Sequence, residues 1–489
     1  MLFNSHIFML LFLPLLLAGW YFLNWKKKFQ LAQGYLIGMS LWFYAYANLQ
    51  YLWLLLFSCL IGWLLSCLPE KIFSEKGKKV LTGVGCVFHL GLLGYFKYSN
   101  FFLENLNTVF HTDFPMLQIL LPVGISFYTF QQLAYLIDRC RGDAPRDSFF
   151  DYLTFMVYFP QLLQGPILLR SEFMGQLKEP ERRRFHAERF SEGIQFFVFG
   201  LAKKVLLADT LAKAVNYGYS NVSMLDSISA LLLAVGYLTE LYFDFSGYCD
   251  MAVGLGKMIG LEVAENFDAP FHSASVKEFW RRWHMTLGRF FTRYVYIPLG
   301  GNRRGKMRTL CNVMIVMLLS GLWHGAAWTF VLWGFLHGVG MIWDNLEHPH
   351  LPKKWMRQAA TFAYVCMTFV FFRAESIAQG FDVLKSIVSL KWNGFVFQMA
   401  SALDMTECYM ITKALSMKLP GLLSWFWLGI FVVLIAICFR VLSGEKVSGV
   451  VALQRQKGYS RLYPVLLAVL FTWSMISMTG VSEYLYFSF

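Results

Sequence analysis

The segments KEFWRRWHMTLGRFFTRYVYIPLGGNRRG at residues 277–305 and SGLWHGAAWTFVLWGFLHG at residues 320–338 decide the fold class of this chain. The first alternates arginines with aromatic residues and ends on paired glycines, so it does not predict a simple membrane span. The second lies within residues 309–343, which contain no Asp, Glu, Lys or Arg. These 35 residues are long enough to enter a bilayer and return, or to cross it once.

Histidines in apolar sequence are the first candidates for function, since an ionisable side chain is costly at membrane depth. His324 is a candidate general base, because a hydroxyl needs help to attack at neutral pH; a neutral core histidine bound to a carbonyl is the alternative. Its neighbours Trp323 and Gly325 favour the first interpretation, since a glycine permits close approach of a substrate. His284 fits a catalytic partner or a membrane-interface anchor equally well, whereas His337 is predicted to be structural.

The composition is that of a membrane protein. Of the 489 residues, 57% are hydrophobic and 15% are charged, against roughly 25% charged in soluble domains. The formal net charge of +13 falls in short clusters between apolar runs, which indicates membrane topology and argues against nucleic acid as a partner. The nine cysteines form no CxxC pair, so neither a disulfide framework nor a metal site is predicted. The sequence contains neither a GxGxxG nor a GxxxxGK[ST] phosphate loop, which argues against an ATP-driven pump.

Apolar runs predict a series of membrane helices. Three lysines at 26–28 follow the first run, so the positive-inside rule places its N-terminal end outside, and the last predicted span places the C-terminal tail outside as well. An external loop is expected at 99–114. Further spans are predicted to begin near residues 194 and 225. The remaining predicted apolar stretches are 6–24, 32–48, 51–68, 80–97, 115–137, 360–372, 422–442 and 462–480.

The stretch 149–169 is apolar but is interrupted by Pro160 and by Gly165-Pro166, which predicts a re-entrant or interfacial segment. We expect about eleven or twelve membrane elements in an all-α polytopic membrane protein. They form one membrane domain over residues 1–489. Its predicted parts are N-terminal helices at 1–115, a motif-bearing catalytic core at 116–345, and C-terminal helices with an aromatic tail at 346–489.

Charged residues near these segments are candidates for binding. Arg281, Arg282 and Arg289 could hold the phosphates of an anionic cytoplasmic cofactor, or anionic lipid headgroups. Asp244, in the sequence DFSGY, could cap a helix, accept a hydrogen bond from backbone or bind an ion. A cap or a backbone hydrogen bond is the favoured interpretation.

Several motifs, in a fixed order, resemble the bacterial branch of the membrane-bound O-acyltransferase (MBOAT) family. That branch includes the alginate O-acetylation protein, the membrane subunit of peptidoglycan O-acetyltransferase and the D-alanyl transferase of teichoic acid. The resemblance covers nearly the whole chain. The motifs that carry it are LPVGISFYTFQ at 121–131, YFPQLLQGPI at 158–167, GLAKKVLLAD at 200–209, DFSGYCDMAVGLGKMIG at 244–260, ENFDAPF at 265–271, the 277–305 segment quoted above and GLWHGAAWTFVLWG at 321–334.

The resemblance implies a ring of tilted helices around a thinned centre with an acyl-transfer tunnel, open to a cytoplasmic thioester and to an external acceptor. His324, in the WHG position of the family, would be the catalytic base, and His284 the second family histidine. Tyr486, in the aromatic tail, resembles a short C-terminal motif that is thought to present a tyrosine as a transient acyl carrier; an aromatic anchor at the outer interface is the alternative.

The function implied is transfer of acetyl from acetyl-CoA across the bacterial cytoplasmic (inner) membrane for O-acetylation of an envelope polysaccharide. Alginate-type members often carry a basic residue soon after the GPI motif, whereas Leu168 and Leu169 follow it here, so peptidoglycan is favoured over alginate or another exopolysaccharide. The chain has no GDS-type hydrolase motif, and the implied partner is a separate periplasmic transferase of the SGNH type. A transporter or flippase without acyl chemistry is the alternative of another class.

Overall fold

The computed structural model of this protein describes residues 1–67, 74–346, 352–442, 446–457, 462–478 and 484–485. Helices are the regular elements of these described residues, which contain no strand. This confirms the prediction of an all-α polytopic membrane protein. Six helices in the described ranges are long and apolar enough to cross a membrane: Phe8–Trp25, Leu49–Cys67, Glu75–Phe110, Ser227–Met258, Lys306–His324 and Pro420–Val441.

The helices group into two compact units. The first comprises Met1–Phe197, Cys249–Glu265 and Thr286–Pro298. Its helices are α1 (Leu13–Trp25), α2 (Phe29–Asn48), α3 (Leu52–Cys67), α4 (Glu75–Leu93), α5 (Ser99–Phe110), α6 (Ile125–Arg141), α7 (Phe149–Val157), α8 (Phe159–Leu162) and α9 (Arg170–Leu177). One further helix, α10 (Ala187–Ala202), begins in this unit and ends in the second.

The second unit comprises Val198–Tyr248, Asn266–Met285 and Leu299–Phe489. Two of its helices, α12 (Ser227–Met258) and α14 (Met285–Phe291), continue into the first unit. The others are α11 (Asp209–Ser220), α13 (Val276–Arg282), α15 (Lys306–His324), α16 (Trp328–Asn345), α17 (Lys354–Arg373), α18 (Ile377–Val388), α19 (Phe395–Ser401), α20 (Tyr409–Lys418), α21 (Pro420–Leu442), α22 (Val447–Lys457) and α23 (Leu462–Ser477).

Two sequence predictions about the first unit are wrong. The expected external loop at 99–114 is largely helical, because SNFFLENLNTVF contains neither glycine nor proline to stop α5 before His111, where φ is +53°. The helix expected at 115–137 begins only at Ile125. Pro122 and Gly124, the latter at φ +78°, hold the preceding backbone out of the helical conformation.

The apolar stretch 149–169 is broken, as predicted. α7 ends at Val157, and α8 is a single turn that begins just before Pro160. Gly165 is required here, because a Cβ at this position would lie 2.1 Å from the carbonyl oxygen of Pro160. The helical conformation is therefore interrupted at 158 and again at 163–169 within this apolar stretch.

The uncharged residues 309–343 form most of a helical hairpin. α15 and α16 are joined by a turn at 325–327. Gly321 and Gly334 allow the two helices to approach closely, since a Cβ on Gly321 would lie 2.3 Å from the Phe330 carbonyl oxygen and one on Gly334 would lie 2.5 Å from that of Met317. The hairpin places His324 and His337 in one compact region of the second unit.

Candidate active site

His324 is the last residue of α15 and is buried, with 4% of its surface exposed. Its ring lies among three aromatic rings, with centroid distances of 5.0 Å to Trp323 and 5.1 Å to both Trp333 and Phe372. The C-terminal end of a helix carries a partial negative charge, which favours a positive charge on the imidazole. His324 thus lies at the negative end of the helix dipole, within an aromatic cluster.

His284 lies at the break between α13 and α14, where its own φ of +46° interrupts the helix. Its Nδ1 atom lies 3.2 Å from Oδ1 of Asn266, so Nδ1 carries the proton and donates it, which leaves Nε2 as the basic nitrogen. Burial lowers the pKa of His284 from 6.5 to about 3. The imidazole is thus neutral at physiological pH.

The indole of Trp323 brings the two predicted histidines into one site. Its ring centroid lies 6.0 Å from that of His284 and 5.0 Å from that of His324. The opposite side of the His284 ring packs against Phe245 at 4.8 Å. The two histidines that sequence reasoning selected thus belong to a single aromatic cluster in the second unit.

His337 lies in the same hairpin but is bound on both nitrogens. Its Nδ1 accepts a hydrogen bond from the Trp280 indole at 3.2 Å, and its Nε2 lies 2.9 Å from Oγ1 of Thr368. Because Nδ1 accepts, Nε2 must carry the proton and donate it to Thr368, whose own hydroxyl is donated to the Val365 carbonyl. Both ring nitrogens of His337 are therefore engaged in hydrogen bonds to neighbouring side chains.

Trp333 is a candidate that the sequence analysis missed. It is 1% exposed and contacts both His324 at 5.1 Å and His337 at 4.8 Å. Its indole Nε1 has no hydrogen-bond partner among the described residues. A buried donor without a partner beside a candidate base can stabilise an oxyanion. Its place in the motif GLWHGAAWTFVLWG could have indicated it.

A cavity of about 560 Å³ lies next to this aromatic cluster in the second unit. Phe372, which contacts His324, forms part of its wall. Apolar residues, Leu485 among them, form part of the lining, and eight polar or charged side chains form the remainder: Lys204, Asp209, Asn216, Glu240, Asp244, Thr329, Arg373 and Glu375. Glu240 is 1% exposed, and its Oε2 atom has no hydrogen-bond partner in the described part of the chain. An acidic residue inside an apolar helix was the available sequence signal for this site.

Asp244 is not a helix cap. It lies in the middle of α12, buried, where Lys204 approaches one of its carboxylate oxygens to 2.6 Å. The other oxygen accepts a hydrogen bond from the backbone N–H of Leu485 in the C-terminal tail at 3.1 Å, so the predicted backbone bond exists and the predicted cap does not. No group of three metal-ligating side chains occurs in the described ranges. Tyr486, the predicted carrier, lies outside the described residues.

The three arginines predicted to bind a cofactor are not equivalent. Arg281 is exposed, whereas Arg282 forms an ion pair with Glu278 at 2.9 Å in the same helix. Arg289 belongs to the first unit, where Glu172 approaches it to 2.5 Å. Arg289 also lines an open cavity of about 670 Å³ in that unit, together with Asp143, Ser171, Thr292, Arg293 and Ile297.

The motifs, the helical architecture and the buried histidine pair define a membrane-bound acyltransferase, and comparison with known proteins agrees. The model of the MBOAT, membrane-bound O-acyltransferase family, matches residues 141–380. The chain belongs to this family and is therefore a multi-pass membrane acyltransferase. Membership of an acyltransferase family argues against the alternative of a transporter or flippase without acyl chemistry.

The chain is similar to several bacterial transferases. A peptidoglycan O-acetyltransferase of Helicobacter pylori is 35% identical over 423 residues, which is 80% of each chain. A probable alginate O-acetylase AlgI of Azotobacter vinelandii is 39% identical over 77% of this chain and 76% of its own. A teichoic acid D-alanyltransferase of Bacillus subtilis is 28% identical over 52% of this chain and 69% of its own.

Proposed function

We propose that the protein takes acetyl from cytoplasmic acetyl-CoA and delivers it through the bacterial inner membrane for O-acetylation of an envelope polysaccharide, namely peptidoglycan. The proposal rests on the position of His324, which is buried in an aromatic cluster at a helix C-terminus. Phe372, which contacts its ring, also lines the polar cavity. A positioned base and space for the attacking hydroxyl within its reach are two of the features that O-acyl transfer needs.

In this reaction His324 accepts the proton of the attacking hydroxyl. The hydroxyl oxygen forms a bond to the thioester carbonyl carbon, the carbon–sulfur bond breaks, and the thiolate that leaves takes the proton back from His324. The helix C-terminus stabilises the transient imidazolium. The indole N–H of Trp333 is the available donor for the oxyanion in the tetrahedral intermediate.

The attacking hydroxyl is that of Tyr486, which then carries the acetyl group to a periplasmic SGNH-type transferase. The neighbouring tail residue Leu485 lines the polar cavity, which supports this assignment. Arg281, Arg282 and Arg289 contribute positive charge for the phosphates of acetyl-CoA. The exposed guanidinium of Arg281 is the one best able to reach a soluble donor.

Peptidoglycan is the proposed acceptor polymer, and alginate is the alternative. The Helicobacter pylori relative, which is named a peptidoglycan O-acetyltransferase, aligns over 423 residues. In the first unit Arg170, the first basic residue after the GPI motif, forms a bidentate ion pair with the buried carboxylate of Asp147. Arg170 therefore has a structural role here, and it does not provide a basic contact for a uronate polymer.

The test is the O-acetyl content of isolated peptidoglycan and of secreted polysaccharide in cells carrying His324→Ala. Peptidoglycan should lose its O-acetyl groups while other polymers are unchanged. His337→Ala is the matched control, because it removes a histidine from the same hairpin that is already bound on both nitrogens.

The O-acetyl contents of the variants are compared per molecule of this protein in the membrane. Loss of acetyl from a secreted polysaccharide instead would assign that polymer as the acceptor. Unchanged acetylation of every polymer would contradict the proposed function.

A further inference from the structure

Three charged side chains form a buried cluster in the second unit. The Lys204 ammonium lies 2.6 Å from Asp244 and 2.8 Å from Asp209. The side chains of Lys204 and Asp244 are each 2% exposed, and that of Asp209 is 24% exposed. Burying such charges is expensive, and an apolar replacement is often as stable, so the cluster raises the hypothesis that it holds one specific arrangement.

The cluster holds two consecutive residues of the C-terminal tail. The backbone N–H of Leu485 donates to Oδ2 of Asp244 at 3.1 Å. The Lys204 ammonium lies 4.6 Å from the ring centroid of Tyr484, within cation–π range. The same ring packs edge-on against Tyr248 of α12 at 5.1 Å and is fully buried. The tail is thus bound through its backbone and through an aromatic side chain.

We propose that Asp244 and Lys204 are positioning residues that dock the C-terminal tail at the polar cavity for acyl transfer. This inference rests on the proposed function, because it concerns the segment that contains the carrier tyrosine. Leu485 lines the cavity, and Phe372 on the same cavity wall contacts the ring of His324 at 5.1 Å. The docking contacts therefore fix the residue directly before Tyr486 in sequence.

The charges explain why docking is specific. Asp244 uses one oxygen for Lys204 and the other for the tail, so the ammonium neutralises the carboxylate while the tail N–H completes its hydrogen bonds. Loss of the Asp244 carboxylate removes the tail contact and the main partner of Lys204 together. Loss of the Asp209 carboxylate weakens only the more exposed side of the cluster.

The test measures tail docking without acyl chemistry. Leu485→Cys retains the backbone N–H that binds Asp244, and its thiol reports access to a membrane-impermeant maleimide from outside the cell. Cys366, which is 5% exposed, is kept as an internal reference for unfolding, and the other cysteines are replaced by alanine. We expect Asp244→Ala to raise the labelling rate of the introduced thiol at least tenfold while Cys366 stays unlabelled. Asp209→Asn should change the rate less than twofold.

Asp244→Asn is the second variant, for use if Asp244→Ala fails to fold. Asparagine keeps the volume of the side chain and one acceptor oxygen. It should raise the labelling rate by an intermediate factor and lower acetylation, while the KM for acetyl-CoA is unchanged. A labelling rate that neither Asp244 variant changes would overturn the proposal. If the rate responds but His324→Ala does not affect acetylation, tail docking stands and the proposed function fails.

Discussion

His324 and His337 lie in the same helical hairpin, are both buried and both contact Trp333, yet their surroundings differ. His337 is held between an indole donor and a threonine acceptor, which fixes its tautomer. His324 is placed at a helix C-terminus beside an aromatic wall that borders a polar cavity. Burial alone therefore does not separate the two histidines; position relative to a helix end and to the nearest cavity does.

The largest expected effect is on His324. In purified protein, His324→Gln should lower the rate of acetyl transfer roughly 100-fold to 10,000-fold, because glutamine cannot accept a proton from the hydroxyl. The rate of thiol release from acetyl-CoA measures this directly. His337→Gln should retain the rate per folded molecule within about threefold, since its ring is bound on both nitrogens. Equal losses in both variants would remove the distinction between the two histidines.

The second effect concerns Trp333, whose indole contacts both His324 and His337. Trp333→Phe keeps an aromatic ring and removes the N–H, so kcat should fall roughly tenfold to 100-fold with little change in KM. Trp280→Phe is the matched control, because its N–H is donated to His337, and its kcat should stay within about twofold. Should Trp280→Phe lower kcat as much as Trp333→Phe, the oxyanion role of Trp333 would be wrong.

The third effect is on stability. Thr368→Val preserves the shape of the side chain but leaves the Nε2–H of His337 without its acceptor, which should cost about 1–3 kcal/mol of the free energy of unfolding. The melting temperature in detergent should fall while kcat is retained. Thr361→Val, on the same helix, controls for the substitution itself. A drop in kcat with an unchanged melting temperature would assign His337 to the chemistry.

The smallest effect is the pH dependence of stability from His284. Its folded pKa of about 3 lies below the ordinary value of 6.5, so between these values only the unfolded chain binds the proton. Stability is therefore greatest above pH 6.5 and decreases as the pH falls through this window, by up to about 1.4 kcal/mol per pH unit. His284→Asn should flatten the melting temperature between pH 6.5 and 5.

A parent protein with no slope in this range would show that His284 is not held neutral by burial.

Hydrophobicity was sufficient to predict the fold class, because a bilayer restricts spanning segments to a few structures. It also predicted the broken stretch at 149–169, since Pro160 and Gly165 have direct backbone consequences. Helix ends were predicted less well. α5 continues through a polar sequence that looked like a loop, and α6 starts late, because both ends depend on local turn conformations at His111 and Gly124.

Parts of the candidate site could be predicted where the residue type is unusual for its surroundings. His284 and His324 were identified as ionisable groups in apolar sequence, and the structure brings both to Trp323. Lys204 and Trp333 lie in the quoted motifs, but their sequence context does not assign them a role. The pairing of Lys204 with Asp244 arises only in the tertiary fold, and so does the lack of a partner for the Trp333 indole among the described residues. Sequence alone cannot show which polar atoms remain without partners.

The left-handed backbone of His284 has a consequence for laboratory evolution. A φ of +46° costs a residue with a side chain roughly 1–3 kcal/mol, whereas glycine adopts this conformation readily. Selection for heat resistance that ignores activity should therefore enrich His284→Gly. The variants recovered would lack one histidine of the candidate site, so a stabilised form of this enzyme should be sought with position 284 held fixed.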